Sequence, residues 1–175
     1  MTRTAGAAMP RALRISAFIA CFAASTAQAA DGEIIVAAAA GHAVEWGGDE
    51  ARQGAVGTVD LWWGIDDFAW LAASASSGAV VTGADDPSRV PFEALAGAAV
   101  ALDVFRWVPW TELLVGVAGP TDGLGPTGRV GVGVDYLLSP RWAVGPTVRI
   151  RPFPSAAGAD GLLTVQLRIA RRFEL

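Results

Sequence analysis

The sequence predicts an all-β protein, an eight-stranded antiparallel up-and-down transmembrane β-barrel with short turns at one end and longer loops at the other. Three observations predict it. Apolar residues recur at every second position, which is the period of a strand and not of a helix. Short and long turn-forming segments alternate between these runs, so the two ends of the sheet differ. The aromatic residues gather near strand ends and leave the strand centres to Val, Leu, Ala and Gly.

Residues 1–29 stand apart from this pattern. Arg3, Arg11 and Arg14 form a positive segment, Ile15 to Ala24 a short apolar run, and Ala27-Gln28-Ala29 a small-x-small cleavage site. This is the layout of a secretory signal peptide, to be excluded from the fold. Cleavage after Ala29 leaves a chain from Ala30 to Leu175. The single cysteine, Cys21, falls in the leader, so the mature chain has neither thiol nor disulfide. After residue 30 no apolar stretch reaches the roughly 18–20 residues of a membrane helix.

The strands follow in order. Residues 33–46 and 68–82 are alanine-rich, and their facing is ambiguous. In 55–65, Val59, Leu61, Trp63 and Ile65 alternate with Asp60, Trp62 and Gly64. In 92–106, Val100, Leu102 and Val104 alternate with Ala101, Asp103 and Phe105. In 110–119, Leu113, Val115 and Val117 alternate with Glu112, Leu114 and Gly116. The last three runs, 128–138, 141–153 and 161–174, are the most regular: Val130-Val132-Val134-Tyr136-Leu138, Trp142-Val144-Pro146-Val148-Ile150 and Leu163-Val165-Leu167-Ile169. Asp66-Asp67, Trp107-Val108-Pro109 and Ser139-Pro140 are the short connections. Segments 47–54, 83–91, 120–127 and 154–160 are the long ones, each carrying Gly or Pro and an acid. A barrel in an outer membrane has short periplasmic turns and longer outside loops. Eight strands of about 9–11 residues fit the mature length.

Composition narrows the function. Hydrophobic residues make up 53% of the chain and charged residues 17%, too apolar for disorder. Every basic residue is Arg, from which we draw no function. The net charge of −4 and the acidic pI near 4.9 argue against a nucleic-acid partner, which needs a basic surface. Trp46, Trp63, Trp70, Trp107, Trp110, Tyr136, Trp142 and Phe173 are the expected membrane-interface aromatics, because Trp and Tyr favour the boundary between lipid and water.

The run Val130-Gly131-Val132-Gly133-Val134-Asp135-Tyr136-Leu137-Leu138-Ser139-Pro140-Arg141-Trp142 resembles a strand-turn-strand hairpin of the small eight-stranded outer-membrane barrels of the OmpA/OmpX type. The resemblance covers residues 30–175 and rests also on the leader, the loop asymmetry and the C-terminal segment. Leu163, Val165, Leu167, Ile169, Phe173 and Leu175 share one phase, as in the last strand of such proteins, which ends in an aromatic residue. Here the final residue is Leu, and Arg171 interrupts the apolar phase. The resemblance implies a Gram-negative cell envelope, an outer-membrane location, lipid and lipopolysaccharide as surroundings, and a barrel-assembly machinery that reads the last strand. It implies no oligomeric state.

An eight-stranded barrel has an interior just wide enough for side chains. The inward phase carries Asp60, Glu93, Asp103, Glu112 and Asp135, and on the last two strands Arg149, Arg151, Arg168 and Arg172. Buried charges must be paired or they cost several kcal/mol each. We expect a lower network of Asp60, Asp103, Glu112, Asp135, Arg168 and Arg172, and a smaller upper one of Glu93, Arg149 and Arg151, together plugging the lumen. Gly116, Gly131, Gly133 and Gly145 share that phase and are expected to make room for the arginines.

The expected role is structural or interactive: membrane integrity, or loop-mediated contact with lipid or a partner. The alternatives are a narrow pore lined by these charges, a lipid-modifying enzyme using His42 with Ser74, Ser76, Ser77 or Ser139, and a soluble periplasmic barrel with an apolar ligand. No nucleophile-elbow pattern is present. Cys and His show no metal-ligand spacing, and no cofactor is expected. The acidic pairs Asp49-Glu50 and Asp85-Asp86 in the outer loops could attract cations that bridge lipopolysaccharide, with solvated loop charge as the default.

Overall fold

A computed structural model describes residues 32–46, 51–81, 92–103, 105–119, 124–155 and 158–174. The leader expected over 1–29 and the acidic pairs 49–50 and 85–86 lie outside these residues.

Period-two patterning gives eight strands: β1 (Ile34–Trp46), β2 (Arg52–Gly64), β3 (Ala69–Val81), β4 (Phe92–Ala101), β5 (Trp107–Gly119), β6 (Gly125–Ser139), β7 (Trp142–Ser155) and β8 (Gly158–Phe173). Each pairs antiparallel with its sequence neighbour, and β8 pairs back onto β1 to close the barrel. Every strand has ten residues or more, so each is long enough to cross a bilayer hydrocarbon core. No helix among the described residues is long and apolar enough to cross a membrane, which says nothing of a barrel that crosses with strands.

The alternation sorts side chains cleanly. Val59, Leu61, Leu113, Val115, Val132, Leu167 and Ile169 point outward and are exposed, Leu167 and Val115 at 64%. Their neighbours in sequence point into the barrel. The alanine-rich strands resolve in the same way: Ile35, Ala37, Ala39 and Ala43 of β1, and Trp70, Ala72, Ser74 and Val80 of β3, face inward and are buried. Small inward residues on β1 leave the lumen to the long side chains of the opposite wall.

Two connections differ from expectation. The β4–β5 turn comprises residues 102–106, and Trp107, Val108 and Pro109 belong to β5. Pro109 reads as a turn residue, yet proline is tolerated near the start of a strand, where only one ladder donor is lost. Its carbonyl accepts from Leu102 N–H at 3.0 Å. At the other end, β7 and β8 continue through Pro152, Pro154 and the glycines of 158–161, pairing as far as Ser155 with Gly158. Only residues 156–157 separate these two strands, so the fourth outer connection is as short as a turn at the opposite end. Turn-forming composition had suggested a loop where the ladder in fact persists.

Candidate functional site: the barrel lumen

The lumen is filled in three tiers. At its centre Arg149, inward on β7, donates from Nη2 to Asp60 at 2.6 Å, from Nε to Glu112 at 2.9 Å and from Nη1 to Gln166 at 3.0 Å. Gln166 donates in turn to Thr58 at 2.9 Å, and Ser74 donates to Asp60 at 2.7 Å. The planar five-donor guanidinium suits this position, because three acceptors converge on its edges from three strands.

Above this centre, toward the long-loop end, Arg129 bridges Glu93 and Glu112, with 3.0 Å from its Nη2 to Glu112. Arg151 pairs with Glu93 at 3.1 Å, and Ser76 donates to Glu93 at 2.9 Å. Below the centre, Arg168 pairs with Asp135 and lies 3.7 Å from Asp60. Its guanidinium sits 4.6 Å from the Trp62 ring centroid and 5.3 Å from that of Trp110. Trp62 meets Trp110 edge-on at 5.2 Å and Trp70 at 6.4 Å. These three rings, with Ile35, Leu95 and Leu114, form an apolar floor.

At the short-turn mouth, Arg172 pairs with Asp103 across the opening and lies 3.7 Å from Glu33. Burial pushes the Glu33 carboxyl above its usual range, against the opposing pull of Arg172.

The buried charges among the described residues are Asp60, Glu93, Glu112 and Asp135 against Arg129, Arg149, Arg151 and Arg168. Four carboxylates oppose four guanidinium groups, so this set is neutral. The space left around its upper tier, bounded by Thr58, Glu93, Arg129, Arg151 and Thr164, is a cavity of about 10 Å³. That is room for one water and not for a solute.

Several expectations need correction. Trp70 and Trp110, expected at the membrane interface, lie in the lumen at 3% and 4% exposure. Trp110 shares the inward phase of Glu112, and proximity to a strand end does not override that phase. Trp63, Trp107, Trp142 and Phe173 are exposed on the outer surface near the short turns. Tyr136 packs against Trp107 at 4.8 Å, and Trp46, at the other end of the barrel, lies half-buried over Gly161. Arg149 belongs to the central tier with Asp60 and Glu112, not to an upper group. Asp103 and Arg172 sit at the mouth and not within the buried set. Arg129 was missed, although Val130, Val132 and Val134 facing outward put residue 129 inward; its place at the edge of a presumed loop hid it.

The glycines also act differently from expectation. A Cβ at Gly131 would stand 2.6 Å from the Glu112 carboxylate, and one at Gly133 would stand 2.4 Å from the Trp110 ring. They make room for an acid and an indole. At Gly116 and Gly145 a Cβ would strike the backbone oxygens of Ala94 and Val134, at 2.2 Å and 1.9 Å.

His42 is exposed on the outer face of β1, whereas Ser74 and Ser76 are held by acids inside the lumen. No group of three His, Cys, Asp or Glu able to hold a metal occurs among the described residues.

No family model matches the sequence, and no curated protein does. Solved structures do. Neisserial surface protein A aligns with a TM-score of 0.60 and 17% identity, over 83% of this chain and 98% of that one. A de novo designed transmembrane β-barrel aligns with a TM-score of 0.54 and 17% identity, over 82% and 97%. The outer membrane protein OprG of Pseudomonas aeruginosa aligns with a TM-score of 0.54 and 9% identity, over 83% and 97%. The fold is that of the small eight-stranded barrels of outer membranes.

Proposed function

We propose that the chain is an integral outer-membrane barrel with a structural or interaction role and a sealed lumen. The observation that carries this reading is inverted polarity. Val, Leu and Ile cover the outside, while charged and hydrogen-bonded side chains fill the inside. A water-soluble barrel needs the reverse, since exposed apolar patches of this extent aggregate in water. In a bilayer the same surface is at home and the closed ladder leaves no unpaired edge.

The neutral charge set and the one-water cavity of its upper tier support a sealed lumen. A selective pore needs a continuous wet path with an excess of one charge, whereas the buried acids and arginines here are paired with each other. His42 on the lipid face, away from the lumenal serines, supports a non-catalytic reading. Lipopolysaccharide and phospholipid are the expected surroundings, and the outward phase of β8 the expected signal to the barrel-assembly machinery.

The test joins three measurements on the mature chain. Faster migration of the unboiled protein on a denaturing gel, with β-type circular dichroism in detergent, is expected of a closed membrane barrel. Planar bilayers containing it are expected to show no steps in current. A protein that stays soluble without detergent and shows no mobility shift would overturn the membrane reading, and resolved conductance steps would replace the sealed lumen with a pore. A mass change of lipid A on expression, abolished by His42→Ala, would replace the structural role with an enzymatic one.

A further inference from the structure

Arg171 is the one outward charge that breaks the apolar phase of β8. It follows Val165, Leu167 and Ile169 on the exposed face and pairs across the ladder with Trp142 of β7. Its guanidinium lies 5.4 Å from the Trp142 ring centroid and 4.8 Å from that of Phe173. Two rings therefore hold the side chain, and no carboxylate among the described residues lies within ion-pair distance of it. The same is true of Arg141 in the β6–β7 turn and Arg106 in the β4–β5 turn.

The backbone brings these residues onto one arc of the short-turn rim. The Arg141 carbonyl accepts from Arg172 N–H at 2.9 Å, and the Arg106 carbonyl accepts from Leu137 N–H at 2.8 Å. None of the described acids of that rim, Glu33, Asp66, Asp67, Asp103 and Glu174, forms an ion pair with Arg106, Arg141 or Arg171. Asp103 and Glu33 serve Arg172, and Asp66 accepts from the N–H groups of Phe68 and Ala69 in the β2–β3 turn. The arc from β5 to β8 is thus basic, aromatic and adjacent to an apolar wall.

We propose that this arc binds the phosphate of an anionic phospholipid, with Arg171 as the principal contact and Arg141 and Arg106 as supporting charges. Contact with the faces of Trp142 and Phe173 holds the guanidinium at this spot, and a guanidinium's N–H fork can grip a phosphate through two oxygens. An arginine on a lipid-facing strand is tolerated near the interface, where it costs about 0–1 kcal/mol, and not at mid-bilayer. The level of Arg171 among the exposed rings Trp107, Trp142 and Phe173 is that interface. The lipid's acyl chains would then lie along the apolar outer residues of β7 and β8, such as Val148 and Ile169. This inference rests on the membrane reading above.

The experiment uses the mature barrel in zwitterionic detergent, titrated with phosphatidylglycerol or phosphatidylcholine and read by native mass spectrometry of retained lipid. Preferential retention of phosphatidylglycerol is expected. Arg171→Gln is expected to weaken it roughly five-fold, the effect of one basic residue at an anionic surface, and Trp142→Leu to weaken it with Arg171 intact. Inorganic phosphate is expected not to displace the lipid. Equal retention of the two lipids, an unchanged Arg171→Gln variant, or full displacement by inorganic phosphate would each overturn the proposal. The gel-mobility shift, run on every variant, separates the two failures: a shifted, folded barrel without lipid preference sinks this site alone, and a chain with no shift sinks the membrane reading and the site together.

Discussion

Asp60 touches more of the lumen than any other acid, with Arg149, Arg168, Arg129 and Ser74 around one carboxylate. Replacing it by Asn leaves the buried set with four guanidinium groups against three carboxylates. Asp60→Asn is therefore expected to lower stability by about 3–5 kcal/mol, measured by urea unfolding from lipid vesicles. Gly131→Ala pushes a methyl group into the Glu112 carboxylate and is expected to cost about 1–3 kcal/mol in the same assay. Gly145→Ala is expected to cost more, because the backbone it would strike cannot rotate away. Glu33 gives a pH-dependent outcome. Burial holds its folded pKa above the ordinary glutamate value of 4.5, so its protonated form suits the fold better. Its contribution is fully present below about that value and is lost as pH rises through the folded pKa. Glu33→Gln should flatten that part of the pH dependence of the unfolding midpoint. At this scale the sequence was informative about type and less about partner. Alternation sent Asp60, Glu112 and Arg168 inward, but the pairing of Arg149 with Asp60 depends on register around a closed circle, and no linear pattern contains that.

Strands were legible where apolar residues alternate with visibly different ones, as in β6 and β8. They were ambiguous in β1 and β3, where Ala occupies both faces and the pattern loses contrast. Boundaries failed at proline. Pro109 and Pro154 read as punctuation, yet both lie within paired strands. Aromatic residues misled for a related reason. Trp70 and Trp110 lie near the short turns, as interface residues do, but their phase turns them inward, where they pack with Trp62 in the buried cluster. The outer face of an element gives its own prediction. Leu113 is 63% exposed near the middle of β5. Leu113→Arg is expected to destabilise the barrel by about 2–4 kcal/mol in a bilayer, and Trp107→Arg, near the rim, by about 0–1 kcal/mol. Equal and small effects at both positions would mean that this face meets water.

For the molecule as a whole, the decisive property is that opposite charges balance inside while apolar atoms cover the outside. Neither half of that arrangement identifies a role on its own; a designed barrel shares the fold, so architecture alone does not carry biological activity. Removing two of the balanced arginines at once, Arg129→Ala with Arg149→Ala, is expected to leave uncompensated acids, admit water and produce cation-selective current in planar bilayers, where the native barrel is expected to show none. The closure of β8 onto β1 has a different consequence, one of timing. The ladder that joins Ile34 to Phe173 connects the two ends of the paired chain. Every other hairpin can form as soon as its own residues are present, but this seam must wait for all of them. Until it closes, the growing sheet carries two open edges ready to pair with any stray strand, and contacts this distant in sequence form late. The vulnerable period of this protein is therefore its unfinished state, and the last strand to arrive ends it.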